Sequence, residues 1–183
     1  PRSRGLGDVY KRQVDAKPEW RAGARFDRAE VQALISDARI PEDRRVIYAL
    51  IFCGGMRIGE VLALRWFDLE AREPLDRLLV ARSWDTKHQV EKLTKTKVAK
   101  EVPVHPALGE LLTRWRAAGW RERFGRAPVE QDLICPQPLD RGRGRRVGGP
   151  RQHWSADTFR KRCYRDLSTL GLRHRTPHDG RST

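Results

Sequence analysis

Three cysteines in 183 residues, odd in number and without a paired metal-binding spacing, exclude a disulfide framework and a cysteine-based zinc site. Cys53, Cys135 and Cys163 are therefore expected to be reduced thiols packed in or near the core. No apolar run reaches membrane-spanning length, and the amino terminus lacks a charged-then-apolar signal pattern, which predicts a soluble, cytoplasmic protein. No Gly-x-Gly-x-x-Gly or Walker loop is present to cradle a nucleotide phosphate, and no internal repeat points to a solenoid. His174 and His178 are four apart, but Pro177 interrupts the helix that a zinc pair would need. Acid is scarce beside base: 24 Asp and Glu against 38 Lys and Arg leave a formal charge of +14, which points to a polyanionic partner.

Not all of that charge is informative. The run Ser3-Arg4-Gly5-Leu6-Gly7-Asp8-Val9-Tyr10-Lys11-Arg12-Gln13 resembles the translation of a sequencing-library adapter, so residues 1–13 are set apart from fold reasoning. They carry four bases and one acid, and without them the charge is +11. Residues 14–26 read as a linker and residues 27–183 as one domain, for which 38% apolar content is adequate.

The periodicities predict a mainly α fold with a small antiparallel β-sheet. Asp27 and Glu30 have the spacing of a reciprocal cap, ahead of a helix carrying Val31, Leu34 and Ile35. Pro41 opens a second helix, whose run Val46, Ile47, Ala49, Leu50, Ile51 and Phe52 is apolar nearly all round. It is expected to be the central buried helix, ended at Gly54-Gly55. Leu78 to Trp84, Val90 to Thr94 and Lys100 to Val104 read as short strands. Pro106 to Gly119 and Ser155 to Leu170 read as helices, with a brief apolar stretch, Leu133-Ile134-Cys135, between them. Trp115, Trp120 and Trp154 read as packing residues. Residues 140–151 differ: Arg141, Arg143, Arg145, Arg146 and Arg151 stand among four glycines. Such a segment cannot bury a core, and it either contacts a phosphate backbone or is merely solvated.

The most informative run is Gly54-Gly55-Met56-Arg57-Ile58-Gly59-Glu60-Val61-Leu62-Ala63-Leu64-Arg65-Trp66-Phe67-Asp68. An arginine just after a Gly-Gly break and ahead of Val61, Leu62 and Leu64 is expected in the first turn of a buried helix, where charge is costly. Either Glu60, three residues on, neutralises Arg57, or Arg57 faces an anionic ligand. The run resembles the first arginine box of the tyrosine recombinases, or phage integrases, in which Gly-Leu-Arg-x-x-Glu-Leu leads to Leu-x-Trp-x-Asp. Two further boxes follow in that family's order. Thr94-Lys95-Thr96-Lys97 before Val102-Pro103-Val104 resembles the hairpin that carries an active-site lysine, matched here to Lys95 with Lys97 as the alternative. Thr176-Pro177-His178-Asp179-Gly180-Arg181 resembles the His-x-x-Arg box; Thr176 is a candidate N-cap, Pro177 suits a first helical position, and Gly180 replaces the usual leucine.

The resemblance implies the fold and the chemistry together. Arg57 and Arg181 would clamp the scissile DNA phosphate, without metal or cofactor. Lys95 would protonate the leaving oxygen, His178 would assist proton transfer, and Glu60 would orient Arg57 or the hairpin. Lys97 and the arginines of residues 141–151 would contact duplex DNA. It also implies a homotetramer on two DNA sites in a bacterial or phage nucleoid setting. The family's nucleophilic tyrosine follows the second arginine, whereas Tyr10, Tyr48 and Tyr164 all precede His178, so the chain is expected to be an inactive fragment. A non-enzymatic, basic, helical DNA-binding protein is the rival reading; it accounts for the charge but not for the three boxes in order.

Overall fold

The computed structural model describes residues 25–94, 98–138 and 153–176. Helix α1 (Arg28–Ser36) begins at the reciprocal cap read from the sequence. Asp27 Oδ1 accepts from the Glu30 amide at 2.8 Å, and Glu30 Oε2 accepts from the Asp27 amide at 2.9 Å. Helix α2 (Glu42–Phe52) follows Pro41 and buries Val46, Ile47, Tyr48, Ala49, Leu50 and Ile51, which makes it the central helix, as its pattern predicts. It stops because Gly55 takes φ +59° and because Gly54 lies so close to Leu50 that a Cβ would stand 2.7 Å from the carbonyl oxygen.

One turn of helix, α3 (Ile58–Val61), and a 3-10 turn (Trp66–Asp68) lead into the strands. β1 (Leu69–Glu70), β2 (Arg77–Val80) and β5 (Lys100–Pro103) form an antiparallel sheet in the order β1-β2-β5. β3 (Arg82–Asp85) and β4 (Val90–Leu93) form a separate hairpin. The apolar run Leu78 to Trp84, expected as one strand, is thus divided at Ala81. Leu78 and Val80 point into the core, whereas every residue of β3 is half-buried and pairs only with β4. A change of partner in mid-run leaves no mark in an apolar pattern.

Helix α4 (Pro106–Arg114) runs through a π-turn (Trp115–Gly119) into α5 (Trp120–Phe124), five residues beyond the expected end, and stops at Gly125 with φ +77°. The π-turn brings Gly119 against Glu42, so close that no Cβ fits. Helix α6 (Ala156–Thr169) is capped by Ser155, whose Oγ accepts from the Thr158 amide at 3.1 Å. A buried cluster bolts it to α2: Asp166 accepts from Arg44 at 2.5 and 2.9 Å and from the Tyr48 hydroxyl at 2.7 Å. Trp115, Trp120 and Trp154 are fully buried, as packing residues should be. The Trp115 and Trp154 indoles donate to the carbonyls of Ile134 and Cys135, so the brief apolar stretch serves as a rib of the core.

Cys135 and Cys163 are buried, and burial pushes the Cys163 thiol up to about 11, beyond easy ionisation. Cys53 departs from expectation: it is exposed at the end of α2. Among the described residues no helix is long and apolar enough to cross a membrane.

Candidate active site

Arg57 is the N-cap of α3 rather than a residue of its first turn. Met56 before it is fully buried, and the backbone at Arg57 is extended, so its side chain leaves the core while the helix that follows enters it. The exposures are accordingly opposite to the sequence argument. The Arg57 side chain is 55% exposed and that of Glu60 is 9% exposed. Glu60 is the charge that needs a partner, and it finds two in one residue: Oε2 accepts from the Arg57 amide and Oε1 from Arg57 Nη1, each at 2.9 Å. A guanidinium has five N–H donors, so one bond to Glu60 fixes its pose and leaves others directed outward.

Gly59 sets this helix turn against the hairpin. A Cβ there would lie 2.6 Å from Ser83 Oγ and 2.8 Å from the Trp84 carbonyl oxygen, both on β3. The Leu-x-Trp-x-Asp run provides a second tie. Leu64 and Trp66 are buried, and Asp68 accepts from the Arg65 amide at 2.8 Å and, through both oxygens, from Arg82 Nη2 at 2.7 and 2.6 Å. Burial nevertheless pushes the Asp68 carboxyl above its ordinary value, against the pull of the Arg65 amide and Arg82.

Sequence reasoning passed over the network on the hairpin itself. Glu91 on β4 accepts from Arg65 Nη2 at 3.1 Å and lies 3.4 Å from Arg82 Nε. His153 stacks on Trp84. The available signal was Glu91, the one acid among the lysines between Lys87 and Lys100. The hairpin turn is closed by Asp85, which accepts from the Lys87 and His88 amides, from His88 Nδ1 at 2.8 Å and from Lys92 Nζ at 2.6 Å. Lys92 and then His88 hold the Asp85 carboxyl far below its usual range.

A second missed pair guides the chain toward the His-x-x-Arg run. Arg175, 3% exposed, donates to both Glu30 oxygens at 2.5 and 2.7 Å and lies over the Phe26 ring. Phe26 is itself buried. The hydrogen bond from Arg175 holds the Glu30 carboxyl below its ordinary value, against a weaker opposing effect of burial.

Of the residues singled out from the sequence, the described structure thus joins Arg57 and Glu60 and sets them on the hairpin that runs toward Lys95. Lys95 and Lys97, the arginines Arg141, Arg143, Arg145, Arg146 and Arg151, and His178 and Arg181 lie outside the described residues, as do residues 1–24. Among the described residues no group of His, Cys, Asp and Glu is arranged to hold a metal ion.

No protein-family model and no curated protein matches the chain. Solved structures do. The XerH site-specific recombinase bound to difH substrate in a pre-cleavage complex aligns with 86% of this chain at a TM-score of 0.54 and 18% identity. Its post-cleavage complex with palindromic difH aligns with 87% at 0.57 and 18%. The Tn1549 transposon integrase in complex with transposon right-end DNA aligns with 98% at 0.61 and 15%. The chain spans 40% of the XerH chains and 55% of the integrase chain. With helices around a three-stranded antiparallel sheet and a separate hairpin, the chain has the fold of a tyrosine recombinase catalytic domain.

Proposed function

We propose that this chain is the DNA-cleaving domain of a site-specific recombinase or integrase that works through a phosphotyrosine intermediate. The observation that carries the reading is Arg57: a half-exposed guanidinium held by a buried carboxylate through both its backbone and its side chain, in a fold shared with recombinases solved on DNA.

In this reading Arg57 and Arg181 grip the non-bridging oxygens of one phosphate and offset the charge that builds on them. A tyrosine oxygen attacks phosphorus, the bond to the 5′-oxygen breaks, and Lys95 supplies the proton that makes it a hydroxyl. His178 assists proton transfer, and Glu60 keeps Arg57 in position. Duplex DNA is the substrate, held also by Lys97 and the arginines of residues 141–151, and the working assembly is a homotetramer in the bacterial cytoplasm, for a protein of bacterial or phage origin. One of the two tyrosines among the described residues is a poor nucleophile. Tyr48 is buried and donates to Asp166, and burial raises its hydroxyl well above the ordinary value. Tyr164 is stacked on His174. The resemblance to the tyrosine recombinases implies a nucleophile after Arg181, and it is sought there.

The test is a nicked, cleavage-trapping duplex followed by a denaturing gel. The 183-residue chain is expected to bind the DNA without forming an adduct, and a version extended past Thr183 along its reading frame is expected to form one. An adduct from the chain as it stands, lost on Tyr164→Phe, would overturn the assignment of the nucleophile; binding with no adduct from either version would favour a non-enzymatic DNA binder.

A further inference from the structure

Among the described residues the β3–β4 hairpin has no strand neighbour besides its own partner, so what packs on it decides where it points. The register sets Trp84 opposite Glu91, with Arg82 and Leu93 paired one step along the same face. Two elements hold β3. On one side α3 closes through Gly59 onto Ser83 and the Trp84 carbonyl. On the other, His153 lies flat on the Trp84 indole, with ring centroids 3.8 Å apart and planes 11° from parallel, and Trp84 Nε1 donates to the Trp154 carbonyl at 3.2 Å. The His153 side chain is only 12% exposed. Its Nε2 is buried and makes no hydrogen bond among the described residues; Glu91 Oε2, 3.7 Å away, is turned to Arg65.

We infer that His153 is a positioning residue for the proposed reaction: its stack on Trp84 fixes the hairpin against α3, and with it the approach of the chain to Lys95. The inference rests on the reading of the hairpin lysine as an active-site group. Together with the bond from Trp84 to the Trp154 carbonyl, the stack is where the chain entering α6 grips the face of β3. The charged groups facing the ring are Glu91 on β4 and Arg65 before the 3-10 turn; Arg82 on β3 reaches Glu91. Burial lowers the ring's affinity for a proton and Arg65 adds to that, while Glu91 opposes. The stacked form is the neutral one.

Lysine-selective acylation of the full chain, read by peptide mass analysis with and without a nicked DNA duplex, tests the role. In the wild type, DNA is expected to shield Lys95 or Lys97. His153→Ala should reduce that shielding about fivefold to tenfold, the scale of one aromatic pair. Hydrogen exchange should speed up at hairpin amides such as Thr94, which is bonded to Ala81, while α2 keeps its protection. His153→Phe, which keeps the stack, should restore both, and should also abolish any loss of hairpin protection seen as the pH falls below 6.5. Shielding of the lysines that is equal in wild type and His153→Ala overturns the positioning role, as does failure of His153→Phe to restore it. No shielding in the wild type overturns instead the assignment of the hairpin lysine, and the exchange data then decide whether the stack holds the hairpin at all.

Discussion

Arg57 and Glu60 divide their roles by exposure. The acid is the buried member and cannot be left alone; the base is half outside and has donors to spare. Substituting the two therefore has different consequences. Arg57→Lys retains a cation near Glu60 and is expected to fold normally, but it loses the planar fork. In an extended, cleavage-competent chain it should slow strand cleavage by about 100-fold or more, the scale of losing one preorganised donor, while duplex affinity stays within a few-fold. Single-turnover cleavage alongside a binding titration measures both, and unchanged cleavage would make Arg57 structural. Glu60→Gln keeps the shape and loses the charge, so it should lower the melting temperature as well as the rate.

At the scale of elements, contacts distant in sequence decide the layout. Helix α3 reaches the hairpin only because residue 59 has no side chain, and Gly59→Ala forces it away from Ser83 and the Trp84 carbonyl, at a cost of about 1–3 kcal/mol. Thermal melts combined with cleavage assays should show activity falling further than stability. The Glu30–Arg175 pair makes a matching prediction about pH. The Glu30 carboxyl is held below 4.5 in the folded chain, so the unfolded chain takes up its proton first, and the stability it contributes is present above pH 4.5 and lost as the pH falls below that value. Glu30→Gln should flatten that part of a stability–pH profile, and Arg175→Met should do the same with a loss of about 1.5–3 kcal/mol near neutrality. Helix starts were legible in the sequence because a cap is local: Asp27 with Glu30, and Ser155 with Thr158, are three apart. The arginine box was legible for the same reason. The division at Ala81, the π-turn at Trp115 and the stack of His153 on Trp84 were not, since each depends on a partner many residues away.

On the scale of the whole molecule, charge is unevenly spread. The described residues hold 24 bases and 19 acids, a net +5, and many of these bases are matched: Arg44 with Asp166, Arg82 with Asp68, Arg126 with Asp132, Arg175 with Glu30. The other +9 of the total +14 falls on the remaining segments, among them five arginines and one acid in residues 139–152 and two lysines at 95 and 97. A body whose own ion pairs satisfy its charge binds a polyanion weakly, so the affinity for duplex DNA should come from those segments. Each arginine that meets a phosphate adds about −0.9 to the slope of log affinity against log salt concentration. Replacing Arg141, Arg143, Arg145, Arg146 and Arg151 with serine should therefore reduce the magnitude of that slope by about 4.5. Fluorescence titrations of a labelled duplex across a salt series would measure it. Arginines that are only solvated would leave the slope unchanged and lower affinity by no more than the weak effect of net charge at a distance, because mobile salt screens charges that do not touch the phosphates.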